Sequence, residues 1–404
     1  MAAVPGNDLK PHIGIFGRMN VGKSSVINAL TGRRQAIVSA VPGTTTDPVR
    51  KAMELGGLGP CVLVDTAGSD DLTELGQQRV DKSLEVLSEI DLALLLFCDN
   101  AFGPAELSLL ERCQKLGIPC LLLHNKSDLQ ALNPAVLPAA VAGLPMLEFS
   151  ALAPGKYLPA LLQMMKQLLP ETVLEPPSLF KGIVNNGDLV VLVTPVDQGA
   201  PKGRMILPQV MAIRDLLDND AFCVVLKETQ LESYIKSAGI RPALVITDSQ
   251  VFDLVNKLLP PGIPLSSFSI AFARLKGPFD EYIRGTAYID KLKDGDRVLI
   301  QEACTHLPSC EDIGRVKLPA WLRDYTGKQL EIELRPANDK ALYPIASYAM
   351  LIQCGACMIT PRQLRARLAE AAAAGVPLSN YGLAIAWMNG IFERVVSPFV
   401  NPGK

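Results

Sequence analysis

The chain has 404 residues, nine cysteines, 39 Lys and Arg against 41 Asp and Glu for a formal net charge of −2, and 49% hydrophobic residues. At roughly 150 residues per domain this suggests two or three domains with cores of their own, and the high apolar fraction argues against a disordered chain. The near-zero charge argues against nucleic acid as a partner, and an odd cysteine count in so long a chain argues against a secreted disulfide framework.

The first 170 residues alternate short apolar runs with helical patterns. Strands are expected at His12–Phe16, Cys61–Val64, Leu92–Phe97, Pro119–His124 and Met146–Phe149, with helices in most of the gaps. That alternation marks a mainly parallel sheet covered by helices on both faces. The Pro-rich stretch Pro170–Pro177 reads as a linker. A smaller α/β block follows, with strands at Leu189–Thr194, Cys223–Leu226 and Ala243–Thr247 and helices at Gln209–Leu217, Glu228–Ser237 and Gln250–Leu259. No Gly-rich phosphate loop follows its strands. From about Pro264 the pattern becomes mixed α/β, with strands at Arg297–Gln301 and Glu331–Leu334 and helices at Arg362–Ala374 and Tyr381–Asn389. No internal repeat stands out beyond the two α/β blocks. The expected domains are 1–172, 178–263 and 264–404. No apolar run approaches the ~18 residues of a membrane span, and the N-terminus has no charged-then-apolar signal pattern. A cytoplasmic protein with reduced thiols and no membrane partner is expected.

Gly17-Arg18-Met19-Asn20-Val21-Gly22-Lys23-Ser24 fits G-x-x-x-x-G-K-[ST] between a strand and a helix. Gly17 and Gly22 let the backbone curl so that N–H groups face a phosphate, and the helix N-terminus adds a favourable dipole. Lys23 would reach the β- and γ-phosphates, the Ser24 hydroxyl would ligate Mg²⁺, and Ser25 lies beside it in the same turn. Asp65-Thr66-Ala67-Gly68 closes a second strand, bringing the Asp65 carboxylate towards the metal and the Gly68 N–H towards the γ-phosphate. Asn125-Lys126-Ser127-Asp128 closes a third. The Asp128 carboxylate accepts both N–H donors of guanine, a pair that adenine lacks.

These three motifs in order resemble the translation-factor-type GTPases, and within them the TrmE–Era type. The resemblance implies GTP as the nucleotide and Thr45 as the switch threonine on Mg²⁺. It also implies that Ser150-Ala151 forms the loop beneath the base. It further implies a K⁺ ion at Asn20, standing in for an arginine finger during phosphoryl transfer. The catalytic set is then Lys23, Thr45, Asp65 and Gly68. Ser69 stands where small signalling GTPases carry their water-positioning glutamine, so slow hydrolysis and switch-like use of GTP are expected.

A second constellation is Cys304-Thr305-His306 and, after 46 intervening residues, Gln353-Cys354-Gly355-Ala356-Cys357. Cys-x-x-Cys lets two thiolates converge on one centre. A structural Zn²⁺ on Cys₃His and a [4Fe–4S] cluster on three cysteines both fit this spacing. Cys310 is a weak spare ligand, and Cys61, Cys98, Cys113, Cys120 and Cys223 read as small buried apolar residues.

Over essentially all 404 residues, a GTPase domain, a second α/β block and this C-terminal signature resemble the [FeFe]-hydrogenase maturation GTPases, the HydF family. The family signature continues with His-Cys-x-x-Cys, so Gln353 departs from it. The resemblance implies a [4Fe–4S] cluster on Cys304, Cys354 and Cys357 whose fourth position is replaceable. His306 is a further candidate ligand. Asp197, in a family-like segment from Thr194 to Arg204, is a candidate oxygen ligand, although a turn role suits it too. The implied role is a dimeric scaffold that holds a transient 2Fe subcluster precursor and passes it to apo-[FeFe]-hydrogenase. Radical-SAM maturases of the same pathway are the other implied partners. The first 170 residues alone would point to the alternative, a ribosome-assembly or tRNA-modification GTPase, in which the C-terminal cysteines would form a structural zinc site.

Overall fold

The computed structural model describes residues 10–32, 49–66, 86–174, 178–196, 203, 205–303, 312–336, 339 and 341–400. The chain divides into two compact units, Leu9–Pro176 and Pro177–Lys404.

The first unit is built on a six-stranded sheet of β1 (His12–Phe16), β2 (Val49–Leu55), β3 (Gly59–Asp65), β4 (Leu92–Phe97), β5 (Cys120–His124) and β6 (Met146–Glu148), in the order β2-β3-β1-β4-β5-β6. All neighbours are parallel except β2 and β3, an antiparallel hairpin paired from Val49↔Asp65 to Leu55↔Gly59. β1, β4 and β5 are buried along their whole length, which is why they are near-continuous apolar runs. β2 alternates exposed and partly buried residues along Val-Arg-Lys-Ala-Met-Glu, the mark of an edge strand. Its charged residues hide it from a search for apolar runs, and the sequence did not suggest it. α1 (Lys23–Thr31) follows β1 through a tight loop, buries Val26, Ile27 and Leu30, and stops at Gly32 in the left-handed region. α2 (Pro104–Lys115) and α3 (Pro154–Leu168) cover the sheet further along. Within Pro170–Pro177 there is a single helical turn, α4 (Glu171–Leu174).

The second unit holds two four-stranded sheets, both entirely parallel. One contains β7 (Leu189–Val193), β8 (Phe222–Leu226), β9 (Leu244–Thr247) and β10 (Leu265–Ser267), ordered β10-β9-β7-β8. The other contains β11 (Arg297–Gln301), β12 (Glu331–Arg335), β13 (Met350–Gln353) and β14 (Leu378–Asn380), ordered β12-β11-β13-β14. Counted along the chain, each sheet has its strands in the order second, first, third, fourth. The last strands even share residues: Pro264-Leu265-Ser266-Ser267 against Pro377-Leu378-Ser379-Asn380. Each then runs directly into a helix, α8 (Phe268–Lys276) and α12 (Tyr381–Met388), capped by the Ser267 hydroxyl and the Asn380 side chain respectively. The remaining helices are α5 (Leu207–Asp218), α6 (Leu231–Ser237), α7 (Phe252–Leu258), α9 (Phe279–Thr286), α10 (Leu318–Thr326), α11 (Pro361–Ala373) and α13 (Phe392–Val400).

The two halves exchange helices. α9 follows the helix that leaves β10, as α13 follows the helix that leaves β14, but it packs on β14, where a Cβ on Gly285 would come within 2.1 Å of the Leu378 carbonyl oxygen. The Thr286 and Ser379 hydroxyls meet there at 2.7 Å. In return α13 packs on β10, and the Ser266 hydroxyl donates to the Val395 carbonyl at 2.8 Å. Ser266 and Ser379 are the corresponding residues of the two last strands, and both are fully buried. One continuous hydrophobic core runs from Leu179 to Phe399 through both sheets. No helix among the described residues is long and apolar enough to cross a membrane.

Candidate functional site

The loop from β1 to α1 is held open by left-handed backbone at Asn20 (φ 62°) and Gly22 (φ 93°). A Cβ on Gly22 would lie 2.3 Å from Asn125 Nδ2, and one on Gly17 would lie 2.6 Å from the Leu96 carbonyl oxygen, so both positions need glycine. The Lys23 ammonium donates to the carbonyls of Gly17 (2.7 Å) and Arg18 (2.9 Å), folding the lysine over its own loop. Asn125, 2% exposed at the end of β5, donates from Nδ2 to the Val21 carbonyl at 2.7 Å. The guanine-side motif is thereby tied directly to the phosphate-side loop. Arg18 adds an anchor that the sequence did not suggest: its Nε donates to the buried Glu106 carboxylate at 2.5 Å, linking the loop to α2. Nothing in the spacing of residues 18 and 106 signals this pair.

Asp65 ends β3 beside that loop. Burial pushes its carboxyl above the usual carboxylate range, and the charges of Lys23 and Lys51 oppose the shift. Thr66 closes the turn with its hydroxyl on the Ile15 carbonyl at 2.7 Å. At the far end of the sheet, Lys126 takes a left-handed conformation (φ 59°) and the Ser150 hydroxyl donates to Asp128 Oδ1. That contact joins the two segments that would flank a guanine base. Ser24 and Ala151 are half-buried, and Ser25 and Asn20 are exposed. Gly17, Asn20, Gly22, Lys23, Ser24, Asp65, Asn125, Lys126 and Asp128 thus gather where the parallel strands β3, β1 and β5 end and their loops and the first turn of α1 begin, at the carboxyl edge where such sheets hold ligands. Thr45, Gly68 and Ser69 lie outside the described residues.

In the second unit, β11 and β13 are neighbours with Gln301 opposite Gln353, so the segments leading to Cys304 and to Cys354 leave the sheet side by side. The Ala303 N–H, one residue before Cys304, donates to Cys354 Sγ at 3.1 Å. Burial pushes the Cys354 thiol up, against hydrogen bonds from Ala356, Ala303 and Gln353 that pull it down. Ala356 adopts a left-handed conformation (φ 52°) that closes the tight loop. A cavity of about 220 Å³ opens beside this loop, lined by Gly355, Cys357, Asp248, Ser249, Phe272 and Tyr381 among others. Ile206 and Ile313 also line it, and they follow closely on the segments that carry Asp197 and Cys304–His306. Gln353 does not line the cavity. Its amide is fully buried, donating to the Gln301 carbonyl (3.2 Å) and to Cys354 Sγ (3.3 Å).

Cys304, His306, Cys310 and Asp197 lie outside the described residues. Among the described residues no group of three or more His, Cys, Asp and Glu side chains could hold a metal ion. The N–H donors around Cys354 nonetheless suit a thiolate ligand, and the adjoining segment offers the third cysteine, so the residues present fit a thiolate-bound centre. Cys61, Cys98, Cys113 and Cys120 are buried in the first unit's core, while Cys223 is only half-buried on an edge strand.

Three family models match. Residues 12–126 match a 50S ribosome-binding GTPase, residues 179–277 a hydrogen maturase F dimerization domain, and residues 280–398 a hydrogen maturase F tetramerization domain. The two hydrogen maturase F models together span more than half of the chain. Among curated proteins, the tRNA modification GTPase MnmE of Heliobacterium modesticaldum is 39% identical over 142 residues, 34% of this chain and 30% of that protein. MnmE of Nitrosomonas europaea is 39% identical over 139 residues, 33% of this chain and 30% of that protein. The chain therefore spans less than a third of the length of these relatives. Among solved structures, Aquifex aeolicus Era bound to GDP and AlF₄⁻ is 19% identical with a TM-score of 0.34, covering 56% of this chain and 98% of that one. The G domain of the T. maritima FeoB iron transporter is 22% identical with a TM-score of 0.31, covering 39% and 98%.

Proposed function

This chain belongs to the hydrogen maturase F family of GTPases, and from that premise we propose that it is an iron–sulfur scaffold that carries a 2Fe subcluster precursor to apo-[FeFe]-hydrogenase. One observation carries the reading: within the family-matched region, the Ala303 N–H donates to Cys354 Sγ at 3.1 Å, which links the Cys304 segment to the Cys-x-x-Cys loop. Cys304, Cys354 and Cys357 would hold a [4Fe–4S] cluster, leaving one iron position for an exchangeable oxygen or nitrogen donor. Asp197 and His306 are the candidates, since Ile206 and Ile313, which follow them in the sequence, line the cavity beside Cys357. Such a cluster supplies an open coordination position for a second metal fragment, which a four-cysteine site lacks. Around it the protein's own residues do three things: thiolates bind, buried N–H groups orient them, and Phe272, Ile206 and Ile313 keep water from the cavity wall. The 2Fe fragment is cargo, and its delivery partner is the apo-hydrogenase of a pathway that also contains radical-SAM maturases.

On the GTPase side, Lys23 would exchange its two carbonyl partners for the β- and γ-phosphates. Ser24, Thr45 and Asp65 would gather around Mg²⁺, and Gly68 would meet the γ-phosphate. Asn125, Lys126, Asp128, Ser150 and Ala151 would bracket guanine, with Gly17, Gly22 and Ser25 completing the phosphate loop. Asn20, exposed and left-handed, would hold K⁺. Equal GTPase rates in Na⁺ and K⁺ would remove that assignment. The oligomer would form through the first half of the second unit. There Phe222 is 66% exposed on β8, an edge strand inside the segment matched by the dimerization model. Phe222→Asp should leave a smaller species in light scattering, and an unchanged mass would contradict this face.

The cluster reading is tested by anaerobic purification. The account expects a brown protein with broad absorption near roughly 400 nm and about four irons per chain. A colourless protein containing zinc would instead favour a structural metal site, the alternative open to a ribosome-assembly or tRNA-modification GTPase. Such a protein should also bind RNA with a steep salt dependence.

A further inference from the structure

We propose that Gln353 and Lys276 form a polar cradle behind the Cys354–Cys357 loop, which favours the more reduced state of the centre those cysteines hold, and that Gln353 is not one of its ligands. The inference rests on the cluster reading above and adds to it two positioning residues.

Lys276 is the last residue of α8, in the first half of the second unit, and is 1% exposed. Its ammonium donates to the carbonyls of Ala356 (3.1 Å), Cys357 (3.2 Å) and Ile359 (3.0 Å). Three carbonyl acceptors gather around the ammonium, which carries three N–H donors and no acceptor. A full positive charge therefore lies directly under a loop that is to carry two thiolates. Buried charge is costly unless its surroundings reward it, and three carbonyl dipoles together with anionic ligands would do so.

Gln353 acts from the sheet side. Its Nε2 bridges the Gln301 carbonyl and Cys354 Sγ, and the carbonyl contact fixes which end of the amide faces the sulfur. Two geometric facts separate it from the ligands. It does not line the cavity that Gly355 and Cys357 border, and the group it turns to the sulfur is a donor, which has no lone pair for a metal. Beside the backbone N–H groups of Ala303 and Ala356, Cys354 Sγ thus receives one N–H bond from a side chain that can be replaced.

Hydrogen bonds to thiolate sulfur and a nearby cation both stabilise the state with more negative charge on the centre, and so raise its reduction potential. The full-length protein, reconstituted anaerobically with iron and sulfide, is the material for the test. Potentiometric titration followed by electron paramagnetic resonance is compared for the wild type, Gln353→Leu, Lys276→Met and Lys276→Arg. Leucine keeps the shape of glutamine without its donor, and arginine keeps the charge of lysine. The expected result is full iron content in Gln353→Leu with the midpoint moved to more negative values. Lys276→Met should move it the same way, and Lys276→Arg should stand closer to the wild type. Resonance Raman should show a stiffer Fe–S(Cys) stretch in Gln353→Leu, because a thiolate freed from its hydrogen bond gives more electron density to iron. An unchanged midpoint in Gln353→Leu would overturn the proposal, as would loss of iron from that variant, which would mark Gln353 as a ligand. If Lys276→Met does not fold, Gln353→Leu and Lys276→Arg decide by themselves. A wild-type protein that takes up no iron would instead overturn the cluster reading, and this inference with it.

Discussion

At the scale of single residues, the phosphate loop shows how little freedom the chain has. Gly22 sits at φ 93° with Asn125 Nδ2 where its Cβ would be. Gly22→Ala would strain the backbone by about 1–3 kcal/mol and push Asn125 off the Val21 carbonyl. Calorimetry should find GTP binding weakened by roughly ten- to a hundredfold, and unaltered affinity would contradict the coupling of the two motifs. His12 makes a separate pH-dependent contribution. Burial holds its imidazole below the usual value, with Asp91 and Glu89 pulling the other way. Between the folded and unfolded pKa values the unfolded state binds more protons, so stability rises with pH there. It is fully present above about 6.5, the unfolded value, and is lost as pH falls through the folded one. His12→Gln should flatten this dependence, measured by hydrogen exchange of the β4 amides across that range. An equally steep dependence in the variant would assign it to another group. The nucleotide residues were legible because phosphate and guanine chemistry dictates residue types at fixed spacing. Arg18–Glu106 and Lys276 were not, since a pair 88 residues apart and an ammonium 80 residues from its first acceptor leave no local signal.

At the scale of elements, apolar runs announced every buried strand of the first sheet, and the half-exposed β2 escaped because its pattern alternates with charged residues. The last strands of the second unit escaped for another reason. Leu265–Ser267 and Leu378–Asn380 are only three residues long, and their matching sequences became meaningful once both were seen to end sheets of the same strand order. The crossing of α9 and α13 was invisible, because nothing in α9 says that it covers β14 instead of the sheet that precedes it in the chain. The closeness of that contact makes a prediction. In Gly285→Ala, the new methyl would meet the Leu378 carbonyl and separate α9 from β14. The two tryptophans, Trp321 and Trp387, both belong to the second unit, so their fluorescence reports its unfolding alone. The variant should lose about 1–3 kcal/mol in urea, the usual cost of overpacking. A midpoint equal to the wild type would mean that the exchange contributes little.

At the scale of the whole molecule, the GTPase elements lie in one unit and the cysteine loop in the other. GTP would influence the carrier by ordering switch segments around the γ-phosphate, which biases a two-state equilibrium without either site sharing residues with the other. The two activities should therefore be separable by mutation. Cys354 packs on the second unit's core, whereas the nucleotide motifs belong to the first unit, so Cys354→Ser should leave GTP turnover intact while abolishing cluster binding. The same division agrees with a similarity to MnmE over about a third of the chain and with hydrogen maturase F models that match residues 179–277 and 280–398 of the second unit. The most direct measurement is activation of apo-[FeFe]-hydrogenase by the reconstituted protein after loading with the 2Fe precursor, run beside Cys354→Ser with GTPase rates recorded for both. The account predicts hydrogen evolution with the wild type, none with the variant, and equal GTP hydrolysis in the two. Activation by Cys354→Ser at the wild-type level, or joint loss of both activities, would contradict it.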